Sequence, residues 1–152
     1  MNRYLVLDLD KKKDALFFGD KFLSEAKGWN KEIRDIDAEL EEVCELPAVT
    51  SSEVHSTNIG DPTEKIAFSV MVIRAKKARI ETYKEILDRG LKSLNEEQKK
   101  VIDAFYFRIG KPINWLVSDL CNEFDCSPRK IYRIKESAIL DFVSVVKELI
   151  SE

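Results

Sequence analysis

Apolar residues recur at steps of four and three, or of their sum, over two long stretches of this chain. Trp29, Ile33, Ile36, Leu40 and Val43 form the first seam, and Ile66, Val70, Ile73, Ile80 and Leu87 form the second. Such steps keep side chains on one stripe of an α-helix, whereas a strand would need a period of two. With 5 Gly and 4 Pro among 152 residues, little interrupts them. The spacing predicts a first helix from near Asp20 to Leu46, stopped by Pro47. A second helix opens with Asp61 as its cap, Pro62 in its first position and Glu64 near the positive end of its dipole. Two narrow seams of this kind can bury each other as an antiparallel hairpin, and the same seven-residue spacing also fits a homodimer.

The 44% hydrophobic and 35% charged composition of 152 residues fits one domain or two small ones. The longest apolar run, from Ile66 to Ile73, is broken by Ser69, far short of the roughly 20 residues a membrane span needs. Tyr4-Leu5-Val6-Leu7 is followed at once by Asp8 and Asp10, unlike a signal peptide, so a cytoplasmic location is expected. Residues 1–19 read as an arm or a short strand, and 48–60 as a polar loop. Cys44, Cys121 and Cys126 are odd in number and lack metal-ligand spacing, so we expect reduced thiols, no metal and no cofactor.

A second module begins near Leu94. Gly90 is expected to close the second helix, and Asn95 to cap the next, with Glu96, Glu97 and Gln98 in its first turn. That helix carries Val101, Ile102, Phe105 and Tyr106 and is broken at Gly110 and Pro112. A further helix over 114–123 buries Leu116, Val117, Leu120 and Cys121, with Trp115 and Phe124 as core anchors. Then Ser127 caps, Pro128 takes the first helical position, and Ile131, Ile134, Ala138 and Phe142 define a buried face that extends through Leu140, Val143, Val146, Leu149 and Ile150. The opposite face carries Arg129, Lys130, Arg133 and Lys135 with Tyr132 among them, and no acid before Glu136. This pattern reads as the turn and second helix of a DNA-binding helix-turn-helix, in which four cations face a phosphate-lined groove.

The net charge of −3 does not oppose that reading, because a duplex feels the field of the docked face. Acids concentrate in 32–45, where seven stand against the single base Arg34, whereas 74–92 holds seven bases against three acids. The expected architecture is all-α: an arm or strand over 1–19, a helical hairpin over 20–93 for dimerisation or partner binding, and a helix-turn-helix domain over 94–152.

Phe124-Asp125-Cys126-Ser127-Pro128-Arg129-Lys130-Ile131, followed by Arg133-Ile134 and Ser137-Ala138-Ile139, resembles the end of the helix-turn-helix in region 4 of bacterial sigma factors. Leu94-Asn95-Glu96-Glu97-Gln98 with Val101-Ile102 and Phe105-Tyr106 is similar to the opening helix of that domain. The stretch from Ser127 to Ala138 looks closer still to phage-encoded late-gene regulators of the ArpU and RinA type. Pro128 stands where sigma factors commonly carry a polar residue, and Cys121 where alanine or glycine is usual. The resemblance implies sequence-specific binding to double-stranded DNA in a bacterial host cell and activation of phage late operons; RNA polymerase and a second copy of the chain are further candidate partners. It places base reading on Pro128, Arg129, Tyr132 and Arg133, and phosphate contact on Ser127 and Lys130; Lys135 joins them as a phosphate-neutralising cation.

Two other classes compete. Asp8-Leu9-Asp10 faintly resembles the paired aspartates of haloacid dehalogenase-like phosphotransferases, but Lys11-Lys12 follows where threonine or valine is expected, and no parallel sheet is in prospect. His55, the single histidine, lies among Ser51, Ser52 and Ser56 in the polar loop, away from the buried setting a catalytic base needs. No enzyme is therefore expected. The remaining alternative is a helical interaction module that acts on RNA polymerase or another regulator without reading bases.

Overall fold

The computed structural model describes residues 8–45, 62–108 and 110–151, and among these the fold is all-α. Six helices follow one another: α1 (Lys12–Ala26), α2 (Trp29–Glu45), α3 (Pro62–Lys92), α4 (Glu96–Ile102), α5 (Ile113–Phe124) and α6 (Pro128–Ser151). A π-helical turn, Asp103–Phe107, continues α4. No described helix is long and apolar enough to cross a membrane. The possible strand Tyr4–Leu7, the polar loop with His55, and the expected stop at Pro47 and cap at Asp61 lie outside the described residues.

The chain divides into two compact units, residues 8–27 with 85–151, and Gly28–Lys84. The expected boundary at residues 93 and 94 coincides with the turn between α3 and α4, both sides of which belong to the first unit.

In the first unit, α1 corrects two expectations. Part of the supposed arm is helical, and the helix expected to start near Asp20 starts at Lys12 and ends at Ala26, with α2 beginning separately at Trp29. Gly28, a weak helix former, lies in the interruption. Ala15, Phe18, Gly19, Phe22, Leu23 and Ala26 are all buried, an i, i+3, i+4, i+7 stripe that lies along α6. Phe22 meets Phe142 with ring centroids 5.7 Å apart. Gly19 lets the two helices approach: a Cβ there would fall 2.9 Å from Val143 Cγ2 and closer still to Ile139. Asp8 and Asp10 belong to the turn before α1, where Asp8 Oδ1 accepts from the Asp10 amide at 3.1 Å and Asp10 pairs with Lys147.

Gly90 is likewise reassigned. It does not close α3, which continues to Lys92, but sits beneath the Phe142 ring, where a Cβ would lie 2.6 Å from Cδ2. Asn95 opens α4 as expected, through a reciprocal box: Asn95 Oδ1 accepts from the Gln98 amide at 2.8 Å, and Gln98 Oε1 accepts from the Asn95 amide at 3.0 Å. Gln98 Nε2 donates onward to Asp141 Oδ2 at 2.8 Å, tying the start of α4 to the middle of α6.

In the second unit, Lys77 Nζ meets Asp37 Oδ1 at 2.6 Å and Tyr83 meets the Trp29 ring at 5.8 Å. Moving forward along α2 thus moves backward along α3, so these segments run antiparallel. Trp29, Ile36, Ile73 and Ile80 of the two seams are buried. The Asp37 hydrogen bond and charge hold the Lys77 ammonium above its ordinary pKa.

Candidate nucleic-acid interface

The helix expected from Ser127 onward is α6, and its entry is built as the sequence suggests. Phe124 ends α5, and Asp125 then takes a left-handed conformation at φ 52°. A short polar side chain tolerates that conformation better than a branched one. The Asp125 and Cys126 amides both donate back to the Cys121 carbonyl, the latter at 3.1 Å, closing the end of α5. One residue later, the Ser127 carbonyl accepts from the Lys130 and Ile131 amides at 3.1 and 3.3 Å, and its Oγ lies 3.4 Å from the Lys130 nitrogen. Pro128 is the first residue of the helix, where its missing amide hydrogen costs nothing.

A small core fixes this turn. Val101, Ala104, Leu116, Val117, Leu120 and Ile131 are buried together, with Phe105, Cys121, Phe124, Cys126 and Ile134 packed around them. The burial of Ile131, Ala138 and Phe142 leaves the other side of the first turns of α6 to solvent, where Arg129, Lys130, Tyr132 and Arg133 are all exposed. Among the described residues, none of these three cations has an ion pair. By contrast, Lys99, Lys100, Lys111 and Arg108, on neighbouring elements, pair with Glu96, Glu123, Asp119 and Asp103. Glu136, the first acid of α6, is itself held by Lys12 at 2.5 Å. The exposed start of the helix therefore combines three uncompensated side-chain charges with the positive end of the helix dipole.

Lys135 is placed differently from its neighbours. It is half-buried, with Nζ 4.6 Å from the centre of the Phe105 ring and 5.6 Å from that of Tyr106. The π-helical turn sets both rings against α6: Phe105 also meets Tyr132 edge-on at 5.5 Å, and the Tyr106 hydroxyl donates to Asp20 Oδ1 at 2.7 Å. Burial, and then the Asp20 carboxylate, push the Tyr106 phenol well above its ordinary pKa.

Trp115 is not the expected core anchor. It is 63% exposed, because Leu116, Val117, Leu120 and Phe124 define the inner face of α5 and Trp115 falls on the far side. Phe124 does pack on the core. The sequence reading also missed Asn114, Ser118 and Asn122, which with Cys121, Pro128 and Tyr132 line a shallow cleft of about 360 Å³ beside the start of α6. Their i, i+4, i+8 spacing is the signal that could have found this polar stripe. A second cleft, about 350 Å³, runs between the start of α4 and Lys130, Arg133 and Ser137. Cys121 and Cys126 are free and half-buried, and burial raises the Cys121 thiol pKa, with Cys126 adding to it.

No family model, curated protein or solved structure matches this chain.

Proposed function

We propose that this protein is a sequence-specific double-stranded DNA-binding regulator of transcription, similar to phage late-gene activators, with the first turns of α6 in the major groove. The observation that carries the reading is the exposed set Arg129, Lys130, Tyr132 and Arg133 on a helix start whose opposite side is anchored by Ile131. An α-helix fits the major groove, and an arginine there can make paired hydrogen bonds to guanine worth about 1–3 kcal/mol of discrimination. Arg129 and Arg133 are one turn apart and take that role. Lys130 and the Ser127 hydroxyl contact phosphate, while Tyr132 meets a thymine methyl group or a phosphate. The polar residues Asn114, Ser118 and Asn122 add donors beside the groove wall. RNA polymerase is the partner through which bound protein acts on transcription, and no catalytic step belongs to the reading.

The test is selection from a library of random duplexes and from DNA flanking the gene, across a salt series, with wild-type protein and the Arg129→Ala/Arg133→Ala variant. A salt slope of about −0.9 per phosphate contact and an enriched motif that the variant loses are expected. Absence of binding at low salt overturns the reading.

A further inference from the structure

The outer side of α3 carries an apolar stripe. Ile73 and Ile80 are buried, but Phe68, Met71 and Val72 are 65%, 69% and 51% exposed, and Ala75 is exposed beside them. At 3.6 residues per turn, Phe68, Met71 and Ala75 lie roughly 150° around the helix from Ile73 and Ile80, with Val72 on the flank of the stripe about 90° from them. Single exposed apolar residues are ordinary, whereas three large ones on one stripe of a helix form a continuous patch.

Charge marks what covers it. Glu64 stands one turn before Phe68 and Arg79 one turn after Ala75, both exposed and neither in an ion pair among the described residues. The stripe therefore has an acid at one end and a base at the other, and is its own complement when turned end over end. We propose that α3 pairs antiparallel with α3 of a second copy of this chain, about a two-fold axis between Met71 and Val72. In that register Phe68 faces the partner's Ala75, large against small, and Met71 faces the partner's Val72. Glu64 meets the partner's Arg79, and symmetry makes the ion pair twice. A groove of about 460 Å³ lined by Glu64, Lys65, Phe68 and Ser69 receives the partner's Ala75 to Arg79 turn.

One helix face is small for a protein interface, so association on the order of micromolar is expected. Sedimentation equilibrium of the full chain without nucleic acid tests this independently of DNA binding. Wild type should dimerise; Glu64→Arg alone and Arg79→Glu alone, which each set like charges together twice, should weaken the dimer about tenfold. Glu64→Arg with Arg79→Glu in one chain should restore it. Met71→Asp should abolish it while circular dichroism stays unchanged. Wild type that remains monomeric to about 100 μM overturns the proposal. So do single reversals without effect, or a double reversal that fails to rescue. The charge-swap set stands even if Met71→Asp does not fold.

Discussion

Lys135 Nζ lies 4.6 Å from the centre of the Phe105 ring, so this cation is engaged within the fold while Lys130, little more than a turn earlier, is exposed and unpaired. The two lysines should therefore answer differently to removal. Under the proposed DNA-binding function, Lys130→Ala reduces the salt slope of duplex binding by about one and weakens binding evenly across sequences. Lys135→Ala leaves that slope unchanged and instead costs about 0.5–1 kcal/mol of stability, the usual range for a partly exposed cation over an aromatic ring. Salt-dependent binding and urea denaturation of both variants check the pair; equal loss of slope would return Lys135 to the DNA-facing set.

Gly90 holds a position that no side chain can enter without moving Phe142. Gly90→Ala should gain roughly 1 kcal/mol in helix propensity and lose about 1–3 kcal/mol to overpacking, because the obstacle is a fully buried ring rather than a flexible chain end. Net destabilisation is expected in chemical denaturation. Shortening the obstacle should reverse the sign of the alanine effect: adding Gly90→Ala to Phe142→Leu should stabilise that background. If the alanine destabilises both backgrounds equally, the Phe142 contact is not its cause.

How much of this could be read in the sequence depended on where each residue's partner lies. The seams of α2 and α3, the Asn95 box and the Ser127-Pro128 entry to α6 are written in residues a few positions apart, and each formed where its pattern placed it. The helix α1 was obscured because Phe22 and Gly19 are explained by Phe142, Ile139 and Val143, more than a hundred residues away. Gly90 was misjudged for the same reason, since a helical glycine beneath a ring looks locally like a terminator. Trp115 shows the opposite failure: its size suggested burial, but its place on the α5 wheel decides its exposure. At the candidate site, local spacing disclosed the cations, while the π-helical turn that brings Phe105 and Tyr106 to Lys135 left no local mark.

The Tyr106 hydroxyl, donating to Asp20 at 2.7 Å, links the π-helical turn to α1 and makes stability depend on pH in a defined direction. The folded protein holds the phenol above its ordinary value of about 10, so folding favours its protonated form. Its contribution is complete below pH 10 and is lost as pH rises above that, because the unfolded chain releases the proton first. Urea denaturation from pH 8 to 11 should show wild type losing stability more steeply above pH 10 than Tyr106→Phe. At pH 8 the phenylalanine variant should be less stable by about 1 kcal/mol, the usual net value of one hydrogen bond. Parallel profiles would mean that the phenol titrates alike in both states.

Gln98 serves three neighbours at once, closing the Asn95 box with its amide oxygen and donating from its amide nitrogen to Asp141 at 2.8 Å and to Ser137 Oγ at 3.5 Å. Asn95→Ala removes the cap and should cost about 1 kcal/mol. Gln98→Ala should cost more, because it breaks the box and also strips a charge-assisted partner from Asp141; about 2 kcal/mol is expected. Each substitution removes a different one of the box's two hydrogen bonds, and because each bond holds the geometry of the other, the double variant should cost less than the sum of the singles, with a coupling of about 0.5–1 kcal/mol. By contrast, Asp141→Asn and Asn95→Ala touch different ends of Gln98 and should come closer to additivity. Urea denaturation of this set resolves the two roles. Full additivity of Asn95→Ala and Gln98→Ala would show that the box adds nothing beyond its separate bonds, leaving the link from α4 to α6 as the reason a glutamine is buried there.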